Sequence, residues 1–530
     1  MLAGRVRQRM FISSRLGNRS LRPLALLRSS LLLGALAAAS AGCEHSPETA
    51  GGGFIPTGSA SPADSISIVT NAIGMSFPQG LDENNNPYLR YIEKNTGLNI
   101  KVTLPPQDVY PEKLNVIMAS GNTPDLINYS DKVWMNDNAR QNKLMPLDEL
   151  IDRYGKDLKE KIPKEAWDQV TVDGKIYAVP SLNEVKGLEL MYVRKDWLDR
   201  LGLAPPVTLD DYYKVIRAFT LDDPDGNGIN DTIGLTFGES LVRSAPFFGA
   251  FGVQLDQWAD RYGELAYTST LPETKEALAF LRKLYREKLL DPEFPLNRNP
   301  SMMDKIKNGK VGLFSAAWYD TRGPIAANMQ KDPRAVWIPL EFPRGPEGHS
   351  GVYATNLVRS YNVIPVGSAN PEGVIRYLNF IAGDGYKTLK LGFENEIWSM
   401  QNGKMVINFE EHNKHLYRGI YQAMEDVQDK ETSKIRLDAL GDFHLYDNLK
   451  RIEGHLIPNA FYGSPTPSMS KYYNIKGKEL MEHFVRIIVG VEPLDSFEMA
   501  VERWRKEGGD DMTREVNEWY KKQGIPQGAR

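Results

Sequence analysis

Ser65-Ile66-Ser67-Ile68-Val69-Thr70, then Tyr88-Leu89-Arg90-Tyr91-Ile92-Glu93-Lys94 ahead of Gly97, then Asn99-Ile100-Lys101-Val102-Thr103-Leu104 read as strand, helix and strand. The next periodic segment, Lys113 to Ala119, predicts a second helix, with Gly121 just past its end and the strand-like Pro124-Asp125-Leu126-Ile127-Asn128-Tyr129 after it. Strands alternating with helices imply a parallel, doubly wound α/β sheet. Ligands of such sheets sit beyond the carboxyl ends of the strands, where Asn128, Tyr129 and Ser130 fall.

The chain exceeds the size at which one core stops growing: 530 residues, 41% apolar and 25% charged. Two lobes are therefore expected. Gln169 to Val179 reads as a hairpin around Asp173-Gly174, and Pro180-Ser181-Leu182-Asn183 leads to the strand Leu188 to Val193, taken as the first crossing between lobes. Gly309 to Phe314 predicts a short buried strand delivering Trp318-Tyr319-Asp320 at its end. Tyr361 to Pro365 and the helix Glu372 to Ala382 read as a return to the first lobe, and Asn402-Gly403 marks a hairpin. The expected first lobe is 65–188 plus about 352–411. The second is 189–351 plus about 412–530, mainly helical after His412.

One motif specifies chemistry. In Asp222-Asp223-Pro224-Asp225-Gly226-Asn227-Gly228-Ile229-Asn230-Asp231-Thr232, counting Asp223 as position 1 puts side-chain oxygens at 1, 3, 5 and 9 (Asp223, Asp225, Asn227, Asp231). It also puts a carbonyl at 7 (Ile229) and glycine at 6 (Gly228), the spacing of a calcium loop. Starting at Asp222 would place Pro224 at position 3, which offers no side-chain oxygen. Position 12 is Gly234, so no bidentate Glu closes the loop and a structural ion is expected rather than a sensor. The preceding helix starts at Thr208 with Asp211 three residues on, and its apolar face carries Leu209, Tyr212, Ile216 and Phe219.

The first 28 residues hold seven arginines and no acid, followed by the uncharged run Ser29 to Gly42, whose apolar core is too short for a permanent span. Residues 1–42 read as an export signal, with translation starting at Met1 or Met10. Cys43, the sole cysteine, follows Ser40-Ala41-Gly42 and cannot form an internal disulfide. The pattern resembles a bacterial lipobox, with Ser40 in place of the usual large aliphatic residue and ordinary secretory cleavage as the alternative. Residues 43–64, rich in Gly, Ser, Pro and Ala, read as a tether. Removing seven positive charges from a formal −4 leaves −11, which excludes nucleic acid as a partner and leaves the lipid anchor as the membrane contact.

Met118-Ala119-Ser120-Gly121-Asn122-Thr123-Pro124-Asp125-Leu126, Asp173-Gly174-Lys175-Ile176-Tyr177-Ala178-Val179-Pro180, Tyr192-Val193-Arg194-Lys195-Asp196-Trp197-Leu198, the calcium loop, Gly309 to Phe314 and Pro465-Thr466-Pro467-Ser468-Met469 carry a resemblance in that order. Nearly the whole mature chain resembles the extracellular solute-binding proteins of carbohydrate ABC importers, in the branch of the LplA-like lipoproteins and alginate-binding proteins. The resemblance implies a two-lobed Venus-flytrap fold with a multi-strand hinge, closing on a sugar and handing it to a permease. A monomer on the outer face of the cell membrane is expected, with calcium at Asp223, Asp225, Asn227, Ile229 and Asp231. The position after Asp231, an acid in the alginate-binding relatives, is Thr232 here.

Sugar sites stack rings on aromatic faces and pair hydroxyls with Asn, Asp, Glu and Arg. Trp318 and Tyr319 resemble the aromatic platform of the second lobe, with core packing as the alternative. Asn128 and Tyr129, Trp398 with Glu396, and Asn183, Tyr192 and Tyr353 on presumed hinge segments complete the candidates. No zinc-protease, nucleophile-elbow, P-loop or dinucleotide motif is present, and His412 and His415 beside Glu410-Glu411 read as a charged, solvated helix face. The expectation is a non-enzyme. A polysaccharide-acting enzyme or a sugar receptor for a sensor kinase are the alternatives.

Overall fold

The structure, a computed structural model, describes residues 64–463 and 465–523; the leader, Cys43 and the tether lie outside them. Two main sheets are built from β1 Ser65–Val69, β2 Asn99–Thr103, β3 Leu126–Tyr129, β4 Val179–Leu182, β5 Glu189–Arg194, β6 Ile233–Thr236, β7 Val311–Ala317, β8 Trp337–Pro339 and β9 Val358–Val363. The first sheet has the order β2-β1-β3-β9-β4 and the second β8-β5-β7-β6, in this numbering. Among the described residues no helix is long and apolar enough to cross a membrane.

The strand–helix–strand unit forms as read. Asn86 caps the helix Pro87–Thr96 by accepting from the Tyr88 and Leu89 amides at 3.1 and 3.0 Å, Pro87 presets its first turn, and Gly97 ends it in the left-handed region. That turns Tyr88, Leu89 and Ile92 onto the sheet, where β1 pairs in parallel with β2 and β3. Asp125, just before β3, accepts from Ser67 N and Oγ (2.8 and 2.7 Å), Ser368 Oγ (2.8 Å) and the amides of Ala369 and Asn370 (2.8 and 3.1 Å). This explains the Pro124-Asp125 motif: one carboxylate ties β1, β3 and the approach to the helix Pro371–Ala382.

The expected all-parallel sheet is corrected. β9 enters antiparallel between β3 and β4, pairing Tyr361 with Tyr129 and with Pro180. The sheet is mixed because its fifth strand arrives from the far lobe.

In the second sheet β5 and β7 are buried at every position, as strands covered on both faces must be. Gly312 is required on β7, since a Cβ there would stand 2.3 Å from the Phe219 ring and 2.6 Å from Trp197, which meet edge to face. The helix Leu209–Leu221 carries the Thr208/Asp211 capping box and runs straight into the 223–231 loop. The C-terminal helices Pro467–Ile488, Ser496–Trp504 and Asp510–Lys522 pack on this half, through the helix Pro272–Arg286 and the hairpin Trp258–Tyr267.

A second correction concerns 412–426, assigned from sequence to the second lobe. Tyr421 Oη donates to Glu83 O (2.7 Å), Asn362 Nδ2 to Met424 O (2.6 Å) and Leu182 N to Asp426 O (2.9 Å), so this segment lines the first sheet. The chain thus crosses between the sheets three times, at about 183–188, 340–357 and 427–444. The first two strands are stitched by Asn183 N to Leu357 O (2.9 Å) and Thr355 N to Lys186 O (2.8 Å).

Lys390 meets Asp426 at 2.6 Å with both side chains at most 5% exposed, and reaches Glu184 at 3.3 Å. Burial would raise the Asp426 carboxyl, but the Lys390 ammonium outweighs it and holds the group at about 2. Because that value lies below the ordinary 3.8, the pair's contribution is complete above about pH 4 and is lost as pH falls toward 2. Asp426→Asn leaves the Lys390 charge buried with its main partner gone, and is expected to cost about 3–5 kcal/mol in denaturant unfolding at pH 7. The difference from the parent should narrow as the pH is lowered through 3.

Candidate functional site

The second sheet delivers its chemistry at the end of β7. The chain turns there into one 3-10 segment, Trp318–Arg322, held by Asp320 accepting from Ala317 N at 2.8 Å. Trp318 is half-buried and Tyr319 is 48% exposed, their rings edge to face at 5.6 Å. Tyr319, this exposed at the end of a fully buried strand, is not core packing, while Trp318 rests partly against the core. The Arg436 guanidinium, from the helix Lys430–Asp438, lies 5.8 Å from the Trp318 ring centre and pairs with Glu184 on the first crossing. Trp318 therefore sits where the two halves meet.

Beside it, Glu189 at the start of β5 is buried and accepts from Ser315 Oγ (2.6 Å) and from Tyr353. Burial dominates over the nearby Arg243 charge and raises its carboxyl above the ordinary range. Arg243 pairs with Asp320 at 3.2 Å, while its Nη1 has no hydrogen-bond partner among the described residues. Glu189, Arg243 and Tyr353 line a cavity of about 220 Å³ with Gln254, Phe248 and Met481. Its wall, 239–244, holds Ser240, Leu241 and Arg243 at positive φ (56°, 62° and 72°). Three such residues in four are costly and mark a loop held in place by its surroundings.

The remaining sequence candidates fall elsewhere. Asn128 is buried and spends its amide on Ser360 Oγ (3.0 Å) and Asn362 Oδ1 (2.8 Å) inside the sheet. Tyr129 is half-buried at the strand end between Tyr110 and Trp134. Tyr192 is fully buried with Asn448 Nδ2 donating to its hydroxyl at 2.9 Å, and Trp398 is 5% exposed with Nε1 on Gly392 O at 2.9 Å. Asn183 binds Asn356 O at 2.6 Å and serves the crossing itself. Tyr353 joins the Trp318 neighbourhood, and Glu396 does not. It faces His415 Nε2 at 3.5 Å, with Glu411 at 3.8 Å and Tyr88 Oη 3.3 Å from Nδ1. The solvated-face reading of the histidines is corrected too, since His412 is only 4% exposed and is neutral, burial and Arg418 lowering it to about 3.

The 223–231 loop has the expected turn. Asp223 accepts from Asn227 N (3.1 Å) and Gly228 N (2.9 Å), and the Asn227 amide donates to Asp225 (2.9 Å) and Asp231 (3.3 Å). Burial and the Asp223 carboxylate raise Asp225, the response of crowded acids that a cation would relieve. The donor set of Asp223, Asp225, Asn227, Asp231 and the Ile229 carbonyl fits a hard cation, with Lys310 on Asp231 as its competitor. The structure also explains position 12: a Cβ on Gly234 would lie 2.2 Å from Ile216 O, so no side chain fits there. Thr232 donates its hydroxyl to Phe219 O at 2.7 Å, away from the loop.

The model of the bacterial extracellular solute-binding proteins matches residues 75–388. The chain belongs to that family. This solute-binding protein is 27% identical over 521 residues to lipoprotein LipO of Bacillus subtilis (strain 168), covering 91% of this chain and 95% of LipO. It is 25% identical over 446 residues to the polygalacturonan/rhamnogalacturonan-binding protein YtcQ of the same organism, covering 82% and 88%. The structure of the Streptococcus pneumoniae ABC-transporter substrate-binding protein FusA in complex with kestose superposes with a TM-score of 0.68 at 21% identity, over 87% of this chain and 99% of FusA. An EF-hand mutant of FusA has been solved as well, with fructo-nystose, at a TM-score of 0.67 and 21% identity. The two-lobed fold is thereby established, and the protein is a binding component rather than an enzyme.

These placements separate the buried Trp398 from the exposed Tyr319. Trp398→Ala should destabilise the fold by about 3–5 kcal/mol, as truncation of a core aromatic does. Tyr319→Ala should change the stability by less than about 0.5 kcal/mol, as at a solvent-facing position. Parallel urea titrations check both.

Proposed function

We propose that this solute-binding protein captures an oligosaccharide between its two lobes and delivers it to an ABC permease, tethered to the outer membrane face through a lipid on Cys43. The observation that carries the reading is the pair of half-buried Trp318 and exposed Tyr319 at the junction of the lobes. An aromatic face there stacks on the C–H surface of a sugar, and Tyr353, Glu189 and Arg243 beside it offer hydroxyl, carboxyl and guanidinium partners. The relatives named for polygalacturonan/rhamnogalacturonan binding and solved with kestose support a saccharide as the ligand.

The lobes of this proposal are 65–182 with 358–426, and 189–339 with 445–523, joined by the three crossings. Ligand contacts to both lobes favour the closed form by their differential affinity. The closed form is what the permease reads. Calcium is proposed at Asp223, Asp225, Asn227, Ile229 and Asp231, where it pins the loop between the helix Leu209–Leu221 and β6. The Cys43 lipid and the tether complete the reading from the sequence.

Thermal unfolding tests both ligands. An oligosaccharide at a hundred times its dissociation constant should add about 2.7 kcal/mol of stability, with the sugar recovered intact. Trp318→Ala should weaken that binding at least tenfold, about 1.4 kcal/mol. Calcium should raise the midpoint and a chelator lower it, and Asp225→Asn or Asp231→Asn should remove that response. A midpoint indifferent to every saccharide tried, or cleavage of the sugar, contradicts the receptor.

A further inference from the structure

The lobe junction carries more positive charge than its carboxylates neutralise. Arg418, on the first-lobe segment 412–426, is 5% exposed, and its bonds go to His415 O (2.8 Å) and His412 Nδ1 (3.2 Å), both uncharged partners. Arg322 closes the Trp318–Arg322 turn of the second lobe, its guanidinium 5.8 Å from the Phe409 ring, and Phe409 in turn contacts His412. Among the described residues neither Arg322 nor Arg418 has a carboxylate within 4 Å. Arg436, over Trp318, shares Glu184 with Lys390. Burial is the main cause that lowers both Arg322 and Arg418, the latter to about 10; the charge of Arg436 adds to it for both, and that of Arg322 for Arg418.

A buried guanidinium without a counter-ion is costly, because desolvation is not repaid by an opposite charge. Here Arg418 of the first lobe bears that cost, and Arg322, exposed at the end of its turn, brings a second positive charge from the other lobe. A guanidinium fork matches a carboxylate in two parallel hydrogen bonds.

Resting on the receptor reading above, we infer that the saccharide is acidic, and that a uronate carboxylate seats between Arg322 of the second lobe and Arg418 and Arg436 on the facing side while the sugar ring stacks on Trp318. The same carboxylate relieves the repulsion across the junction. Ligand charge, and not only sugar shape, then drives closure. A neutral saccharide of the same size fills the aromatic platform and leaves the arginines opposed.

The test is calorimetric titration of the calcium-loaded protein with oligosaccharide pairs that differ at C6. The pairs are α-1,4-linked oligogalacturonate against oligogalactose and β-1,4-linked oligomannuronate against oligomannose, with kestose as an unrelated neutral sugar. An acidic member is expected to bind at least a hundredfold more tightly than its neutral partner, and to weaken as sodium chloride is raised. Arg322→Gln, on an exposed turn, and Arg418→Gln are each expected to cost the acid tenfold or more. They should leave the ligand-free unfolding midpoint unchanged or higher, whereas loss of a structural ion pair would lower it. A neutral sugar bound as tightly as its acid, kestose bound in preference to every acid, or acid affinity unaltered in both variants overturns the inference and leaves the carbohydrate receptor standing. Absence of binding to every one of these saccharides overturns the receptor reading as well.

Discussion

The architecture depends on the buried pairing of Lys390 with Asp426. Asp426 accepts from Lys390, Tyr386 Oη (3.0 Å) and Gln428 N (3.0 Å), while its own amide donates to Ser181 Oγ (3.1 Å) and its carbonyl accepts from Leu182 N. One residue therefore fixes the end of β4 and the departure of the third crossing. Glu184, two residues beyond β4, extends the pairing to Arg436 and so to the Trp318 ring. Charges kept this dry are retained at a cost. What they provide here is register, since three chain crossings must leave the first sheet in a fixed relation before two lobes can present a common site.

Each sheet prepares one side of that site. The second is an almost dry slab whose strand β7 admits no side chain at Gly312, letting Trp197 and Phe219 close on it and leaving Trp318 and Tyr319 to emerge where burial ends. The first is locked by Asp125 at β1 and β3 in its interior and by Asp426 at its edge strand β4, and its contribution to the junction comes from the helical segment 409–426 laid across it. The 223–231 loop stands apart at the far end of the helix Leu209–Leu221. Its place is to hold the second lobe's own fold.

Much of this was legible in the chain. Asn86-Pro87 and Gly97 bracket a helix, Thr208 and Asp211 make the capping box, Asn402-Gly403 turns a hairpin, and the loop's oxygen spacing survives in the geometry. Antiparallel β9 was not legible, because its partners β3 and β4 lie far back in sequence and a buried run does not state its direction. Asn128 and Tyr192 were misplaced for related reasons. A polar residue at a strand end gives no sign that Ser360 and Asn362 await it, and a strand buried on both faces loses the alternation that separates core from cleft. The arginines were invisible for a third reason: Arg322 reaches Phe409, Arg418 reaches His412 and Arg436 reaches Trp318 only after distant segments converge.

The claim at the centre of the account is that two lobes close around a saccharide. Small-angle X-ray scattering of the protein with and without a saturating oligosaccharide, identified by binding, tests it most directly. The account predicts a smaller radius of gyration and a shorter maximum dimension on binding, with the sugar unchanged afterwards. A scattering profile that does not alter at saturation would contradict closure as the mechanism.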